Sequence, residues 1–134
     1  MANGERVLLV DDEELILHML ADSLQNAGYE VITAQDGAEG LARARAEQPD
    51  LIILDVMMPK LDGLKVARLL KSDRNHSHIP IIILTAKVGA SDPDLVRQAG
   101  ADCYLTKPVD VNLLNRHVKR LLGAPPDVAP KESR

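Results

Sequence analysis

The sequence lacks most features of secreted, membrane-spanning and nucleic-acid-binding proteins. Cys103 is the only cysteine, so no disulfide can form within the chain. No apolar run approaches the roughly 20 residues that a membrane span requires, and residues 1–6 have no apolar signal region behind them. The net charge is −4, which argues against direct nucleic-acid binding because that function needs a basic face. We therefore expect a cytoplasmic protein that binds neither membrane nor nucleic acid directly.

Aromatic residues are also scarce, with two tyrosines and no phenylalanine or tryptophan. The core must therefore be built from aliphatic side chains, which are abundant enough to exclude a disordered chain. A length of 134 residues is typical of one domain, which we place at residues 1–123. Residues 124–134 hold three prolines and no apolar period. This composition predicts a disordered tail or a linker.

Five short apolar runs alternate with five patterns of helical periodicity. The predicted strands are residues 7–10, 29–34, 51–54, 81–84 and 103–106. The first predicted helix ends near residue 27. The other four cover residues 36–47, 64–72, 92–99 and 110–123. The core-facing residues expected on the first and third helices are Ile16, Leu20, Leu24, Ala27, Val66, Leu69 and Leu70. Capping aspartates, Asp36 and Asp110, mark the starts of the second and last helices.

This alternation predicts an α/β fold with a parallel sheet and helices on both faces. Strands one, three and four are uninterrupted aliphatic runs, as expected of central strands. Strands two and five carry polar residues and suit the edges. Right-handed crossovers reduce the number of remaining topologies, and the strand order 2-1-3-4-5 satisfies all of these constraints. The predicted architecture is a three-layer (βα)5 doubly wound sheet of the flavodoxin-like type, whose switch point lies between strands one and three.

Polar side chains follow four strand ends that meet at one edge of this predicted sheet. Strand one brings Asp11 and Asp12, strand three Asp55, strand four Thr85 and strand five Lys107. Converging carboxylates repel one another unless a cation intervenes, and hard oxygen ligands suit Mg²⁺. The lysine ammonium suits an anion such as phosphate. The pattern predicts a site for a metal ion and a phosphoryl group.

The phosphoryl group is predicted to sit on a protein side chain. The chain has no glycine-rich phosphate loop, so nothing in it would cradle a nucleotide. A carboxylate can act as the nucleophile and form an acyl phosphate. Asp55, placed directly after a buried aliphatic strand, is the predicted nucleophile. His76 and His78 lack neighbouring acids or cysteines in this interpretation and are a weak indication of a metal site.

Five short segments at strand ends carry a resemblance to a known family. They are residues 10–12, residues 55–59 with Asp62-Gly63, Thr85-Ala86, and residues 104–108. In this order they resemble the receiver domain of two-component response regulators, over about residues 5–122. The resemblance implies that a sensor histidine kinase or a phosphotransfer protein phosphorylates Asp55. A downstream effector, or an output domain that is missing here, would then receive the signal.

The resemblance also implies a role for each site residue. Asp55 would be the phosphoacceptor, and Asp12 would bind Mg²⁺ directly. Asp11 would act directly or through water, and the backbone carbonyl of Met57 would be a further ligand. Lys107, ahead of a cis bond to Pro108, would pair with the phosphoryl oxygens, and Thr85 would donate to one of them. Tyr104 would be the aromatic residue that turns inward when Thr85 moves, which changes the face made by helix four, strand five and helix five.

Three functions remain open at this point. The first is a receiver that catalyses only its own phosphorylation and dephosphorylation, as a monomer or a weak phosphorylation-dependent dimer. The second is a pseudo-receiver that acts only as a binding module, which would require a missing acid or lysine. The third is a Mg²⁺-dependent phosphatase with an aspartyl nucleophile. Such enzymes carry a second acid two residues after the nucleophile, where this chain has Met57.

Overall fold

The described residues of the computed structural model, 4–58, 61–85 and 99–123, form five strands and four helices. The strands are β1 Arg6–Val10, β2 Glu30–Ala34, β3 Leu51–Asp55, β4 Ile81–Thr85 and β5 Cys103–Thr106. The helices are α1 Glu14–Asn26, α2 Gly37–Glu47, α3 Gly63–Lys71 and α4 Val111–Leu122. Residues 92–98 of the predicted fourth helix and the predicted tail, 124–134, lie outside the described residues. Ala99, at the predicted end of that helix, is buried.

The strands form one parallel sheet in the order β2-β1-β3-β4-β5. This confirms the predicted order and the flavodoxin-like class. Every residue of β3 and β4 is buried, whereas β2 and β5 are partly exposed. The aliphatic runs therefore form the central strands, because only a central strand has side chains buried on both of its faces.

Each face of the sheet has its own hydrophobic core, which gives three layers. Alternate residues of a strand point to opposite faces. Leu8, Ile52 and Leu54 pack with α2 and α3, whereas Leu9, Leu51 and Ile53 pack with α1 and α4. Helices therefore cover both faces, as predicted. No helix in the described ranges is long and apolar enough to cross a membrane.

Aspartate side chains start three of the four described helices. Asp36 accepts a hydrogen bond from the backbone N–H of Glu39, and Asp110 accepts from those of Asn112 and Leu113. These two caps confirm the predictions. Asp62, which belongs to one of the segments that carry the resemblance, caps α3 through the N–H of Lys65. Such caps satisfy donors that a helix start leaves without partners.

Two predicted core stripes are partly wrong. Leu69 is 41% exposed, because the buried face of α3 is centred on Val66, Ala67 and Leu70. In α1 the fully covered residues are Leu17, Leu20 and Leu24. Ile16 is partly buried and packs against this core, as predicted, whereas Ala27 is exposed because it is the C-cap beyond the last helical turn. The two errors have different causes, because Leu69 lies beside the buried face of its helix and Ala27 lies beyond the end of its helix.

His76 has an acidic neighbour that the sequence interpretation overlooked. Its side chain is buried, with Nδ1 2.7 Å from Asp73 Oδ2 and Nε2 3.0 Å from Gln48 Nε2. The pKa of Asp73 is lowered mainly by the hydrogen bond from the backbone N–H of Asn75. The contact with His76 makes the next largest contribution. The helical turns after α3 place Asp73 against the ring. The His76 side chain thus packs between this loop and the end of α2.

Lys71, at the end of α3, joins three segments of the chain. Its ammonium donates to the carbonyls of Ser77, at 3.1 Å, and Ile79, at 2.7 Å. It also lies 3.1 Å from Asp102 Oδ2, which accepts a hydrogen bond from the N–H of Ile81. Lys71 therefore fixes the approach to β4 and the residue before β5.

Replacement of Lys71 by methionine is expected to lower the free energy of unfolding by about 2 kcal/mol, because hydrogen bonds to charged groups contribute roughly 1.5–3 kcal/mol. The substitution keeps the apolar stem and removes the ammonium. Urea denaturation would measure the change. Lys65→Met is the matched control, since Lys65 is exposed on the same helix. Equal midpoints for the two variants would contradict the expectation.

Candidate functional site

Three carboxylates lie together at the carboxyl ends of β1 and β3. Val10 pairs with Leu54, so the residues that follow them, Asp11 and Asp55, lie side by side. Asp12 completes the group, and ligand oxygens of the three residues lie within 4.8 Å of one another. Asp11 is fully buried, Asp55 is 3% exposed and Asp12 is exposed. The buried strands thus hold two acids away from water and leave the third at the surface.

The two carboxylate oxygens of Asp11 have different partners. Its Oδ1 accepts from the backbone N–H of Glu13 at 2.9 Å. Its Oδ2 is buried and lies 3.0 Å from Lys107 Nζ, with which it forms an ion pair. The ammonium compensates the charge of this oxygen only in part, because Asp55 and Glu13 share it. A cation bound between the carboxylates would compensate the remaining charge.

Lys107 supplies the positive charge that faces this group. Its Nζ lies 3.2 Å from Asp55 Oδ1 and 3.3 Å from Glu13 Oε1, in addition to the contact with Asp11. The backbone N–H of Lys107 donates to the carbonyl of Thr85 at 2.7 Å. The bond to Pro108 is cis, as the resemblance implied. The lysine is therefore anchored to the end of β4 while its ammonium contacts the acids.

Burial dominates the electrostatics of Asp55. Burial, followed by the charge of Asp11, raises the pKa of Asp55 to about 6, and Lys107 only partly opposes these effects. Burial alone would lower the pKa of Lys107, but close contact with Asp11 and Asp55 outweighs it and raises that pKa. Two buried acids and one ammonium leave an excess of negative charge. This excess of negative charge would favour a bound cation.

The loop after β3 is pressed against the backbone of Asp55. The N–H of Gly63 donates to the carbonyl of Val56 at 3.0 Å. A Cβ atom at Gly63 would collide with the carbonyl oxygen of Asp55, so only glycine fits there. An open groove beside the acids is lined by Asp12, Val56, Met57, Met58, Asp62 and Leu64. The groove gives solvent access to the exposed side of the acid cluster.

The structure brings together most of the predicted site residues. Asp11, Asp12, Asp55 and Lys107 form one cluster. Thr85 is buried at the end of the neighbouring strand, and the side chain of Met57 is 66% exposed in the groove. Tyr104 lies on β5 with 52% of its surface exposed. Pro59 and Ala86, which complete two of the matching segments, lie outside the described residues.

Glu13 is a neighbour of this cluster to which the sequence interpretation assigned no role. It contacts Lys107 across a separation of 94 residues. The only available signal was its place in the acidic run after β1. That run did not indicate which of its side chains would turn towards a lysine far along the chain.

The donor set fits a magnesium ion. Three carboxylates provide hard oxygen ligands, the buried Asp11 Oδ2 atom shares one ammonium with Asp55, and the groove leaves room for the waters that Mg²⁺ retains. The profile of the response regulator receiver domain matches residues 7–119. The chain belongs to this receiver family. Receiver domains of response regulators are signalling domains of two-component systems.

Curated relatives of the receiver include whole regulators of two lengths. The alkaline phosphatase synthesis transcriptional regulatory protein PhoP of Bacillus subtilis is 45% identical over 127 residues, which is 95% of this chain and 52% of PhoP. The polar-differentiation response regulator DivK of Brucella ovis is 38% identical over 117 residues, or 87% of this chain and 95% of DivK. The chain therefore spans about half the length of PhoP and nearly all of DivK.

Solved structures share the fold of this receiver. A chemotaxis response regulator of Vibrio cholerae matches with a TM-score of 0.83 and 35% identity, over 90% of this chain and 100% of that chain. The receiver domain of a sensor histidine kinase from Pseudomonas aeruginosa matches with a TM-score of 0.83 and 32% identity, over 90% and 99% of the two chains. That structure has a magnesium ion coordinated in its active-site cleft.

Proposed function

We propose that this receiver accepts a phosphoryl group on Asp55 from a histidine kinase or a phosphotransfer protein. The observation that carries the proposal is the buried Asp55 carboxylate, 3.2 Å from Lys107 and within one cluster with two further acids. Asp11, Asp12, Asp55 and the backbone carbonyl of Met57 would hold Mg²⁺. The magnesium ion in the related receiver from Pseudomonas aeruginosa supports this part of the proposal.

The transfer is a displacement at phosphorus. An Asp55 carboxylate oxygen forms the new bond to phosphorus, and the bond from phosphorus to the donor nitrogen breaks. The nitrogen keeps the electron pair and takes a proton from water. Phosphoryl transfer depends mainly on positioning and charge stabilisation. The bound cation would neutralise charge on the transferred group, and the Lys107 ammonium would pair with its oxygens.

The signal would pass through Thr85 and Tyr104. A phosphorylated side chain carries a charge of roughly −2 and accepts several hydrogen bonds. The hydroxyl of Thr85, at the end of the adjacent strand, would donate to one of these oxygens. Its movement would free space into which the half-exposed Tyr104 ring turns. The face formed by β5, α4 and the helix predicted over residues 92–99 would change shape and recruit a downstream effector.

The two other functions lack support from the site residues. A pseudo-receiver would lack an acid or the lysine, yet Asp11, Asp12, Asp55 and Lys107 are all present. An aspartyl phosphatase needs an acid two residues after the nucleophile, and Met57 has no acid-base capacity. The receiver function therefore remains the best account of the site.

Labelling with radioactive acetyl phosphate tests the proposal. We expect incorporation of about one phosphoryl group per chain with Mg²⁺ and none in the presence of a chelator. The Asp55→Asn variant should remain unlabelled, because an amide cannot form the acyl phosphate. Asp22→Asn is the matched control, since Asp22 is exposed on α1 and its variant should be labelled like the wild type. Labelling that survives in Asp55→Asn, or no labelling of the wild type, would refute the proposal.

A further inference from the structure

Glu13 occupies the N-cap position of α1 without capping the helix. Side-chain oxygens at this position usually accept a hydrogen bond from the first helical turn, and Asp36, Asp62 and Asp110 do so in α2, α3 and α4. Glu13 makes no such bond. Its carboxylate reaches Lys107 instead, with Oε1 3.3 Å from Nζ. The Glu13 carboxylate therefore contacts the site and does not cap its own helix.

The contact between Glu13 and Lys107 is part of a closed ring of interactions. The backbone N–H of Glu13 donates to Asp11 Oδ1, and Lys107 Nζ lies against Asp11 Oδ2. Asp11 is completely buried, so it fixes both the start of α1 and the ammonium. Exposed ion pairs usually contribute little to stability, because holding two flexible side chains in one geometry costs conformational entropy. Here Asp11 holds the backbone of one partner and the charged group of the other.

The three acids around Lys107 differ in what else they can bind. Asp11 and Asp55 belong to the candidate metal cluster, whereas Glu13 does not. A divalent cation held by that cluster would repel the ammonium and weaken its attraction to Asp11 and Asp55. Glu13 has 59% of its side chain exposed, at the outer side of the site. Of the three acids, Glu13 would be the one left to hold Lys107 if a metal ion bound Asp11 and Asp55.

We propose that Glu13 is a positioning residue that holds the Lys107 ammonium at the mouth of the site. The ammonium then faces an incoming anionic phosphoryl donor. The inference rests on the proposed function for the nature of the donor. The contact itself is a property of the folded chain. Loss of Glu13 would let the ammonium of the metal-loaded protein leave this position, so phosphorylation would slow.

A simpler view of Glu13 predicts that its removal has the opposite effect on the rate of phosphorylation. An acid at the mouth of the site would repel an anionic donor, and its removal would then speed phosphorylation. Glu14→Gln is the matched control, because it removes the same charge from the next residue. Glu14 is exposed and lines a separate groove with His18 and Arg43. Any general effect of lost negative charge should appear in both variants.

The first measurement compares phosphorylation by acetyl phosphate at saturating Mg²⁺. We expect Glu13→Gln to lower the second-order rate constant about two- to fivefold relative to Glu14→Gln, the range set by the worth of an exposed ion pair. A rate equal to or faster than that of Glu14→Gln would overturn the proposal. Because both substitutions are isosteric and lie at exposed positions, both variants are expected to fold.

The second measurement observes the lysine directly and requires no phosphorylation. In ¹⁵N-labelled protein with Mg²⁺, the Lys107 NH₃⁺ resonance should be visible, since a held ammonium exchanges its protons slowly. It should broaden or vanish in Glu13→Gln and persist in Glu14→Gln. An unchanged resonance in Glu13→Gln would overturn the proposal. A change in this resonance without labelling of any variant would instead refute the proposed function and leave the role of Glu13 intact.

Discussion

Replacing Asp55 with asparagine should stabilise the fold while it abolishes phosphorylation. Burial raises the pKa of Asp55 from 3.8 to about 6, and each pKa unit corresponds to about 1.4 kcal/mol between the two protonation states. The ionised side chain therefore costs about 2–3 kcal/mol at neutral pH. The variant should gain this amount in free energy of unfolding at pH 7.5 without Mg²⁺. The amide keeps the shape of the side chain and removes its charge.

The raised pKa of Asp55 also predicts how the stability of the wild type changes with pH. Because the pKa of Asp55 is higher in the folded state, between about pH 4 and 6 the folded chain binds a proton that the unfolded chain releases. The wild type should therefore lose stability as the pH rises through this window, and Asp55→Asn should lose less. Urea denaturation at a series of pH values would measure both curves. Parallel curves, or no gain over the Asp22→Asn control at pH 7.5, would contradict the prediction.

Magnesium should reduce the advantage of the asparagine variant. An ion that binds only the folded state stabilises it in proportion to its occupancy. The wild-type cluster offers three carboxylates to the ion and the variant only two. The stability gap between the two proteins should therefore narrow as Mg²⁺ is added. A smaller gap with Mg²⁺ would indicate that the Asp55 carboxylate takes part in metal binding.

Replacing Lys107 with methionine should have the opposite effect on stability. The substitution leaves Asp11 and Asp55 buried without the ammonium that lies 3.0 and 3.2 Å from them. Breaking a buried ion pair by removing one partner typically costs about 3–5 kcal/mol. We expect a loss near the lower end of this range, about 3 kcal/mol, because the side chain of Lys107 keeps 14% exposure and Asp55 can bind a proton.

Denaturation with and without Mg²⁺ would test the lysine substitution. The metal should restore much of the lost stability, since it supplies the positive charge that Lys107→Met lacks. Lys119→Met is the matched control, because Lys119 is exposed on α4. Its loss should stay within about 0.5 kcal/mol. A similar loss in the two variants, or a loss in Lys107→Met that Mg²⁺ does not change, would rule out the electrostatic explanation.

The sheet and its order could be predicted because they depend on local patterns. The aliphatic runs of β1, β3 and β4 allow only central positions, and the polar residues of β2 and β5 allow the edges. Once the order is fixed, the carboxyl ends of the strands meet by geometry alone. Asp11 and Asp55 could therefore be placed side by side without any knowledge of their side-chain contacts. The cluster of acids follows from the topology.

The remaining features depend on contacts between distant side chains. Glu13 and Lys107 are 94 residues apart, and Lys71 gathers two loop carbonyls and Asp102. No periodic pattern encodes such pairs, because long charged side chains take whichever partners the folded backbone brings within reach. Leu69 failed for a different reason: its neighbours Leu70 and Val66 define a buried face that excludes it. Amphipathic patterns fix a helix face only to within one residue.

The separation of the two cores bears on how sequences of this fold can diverge. Leu54 and Ile53 are adjacent in the chain, yet they belong to cores on opposite faces of the sheet. Substitutions more than about 7–10 Å apart without shared partners have nearly additive effects on stability. One face can therefore be repacked over generations without compensating changes in the other. Both cores pack against β3, so substitutions on either face must remain compatible with the same position of this strand.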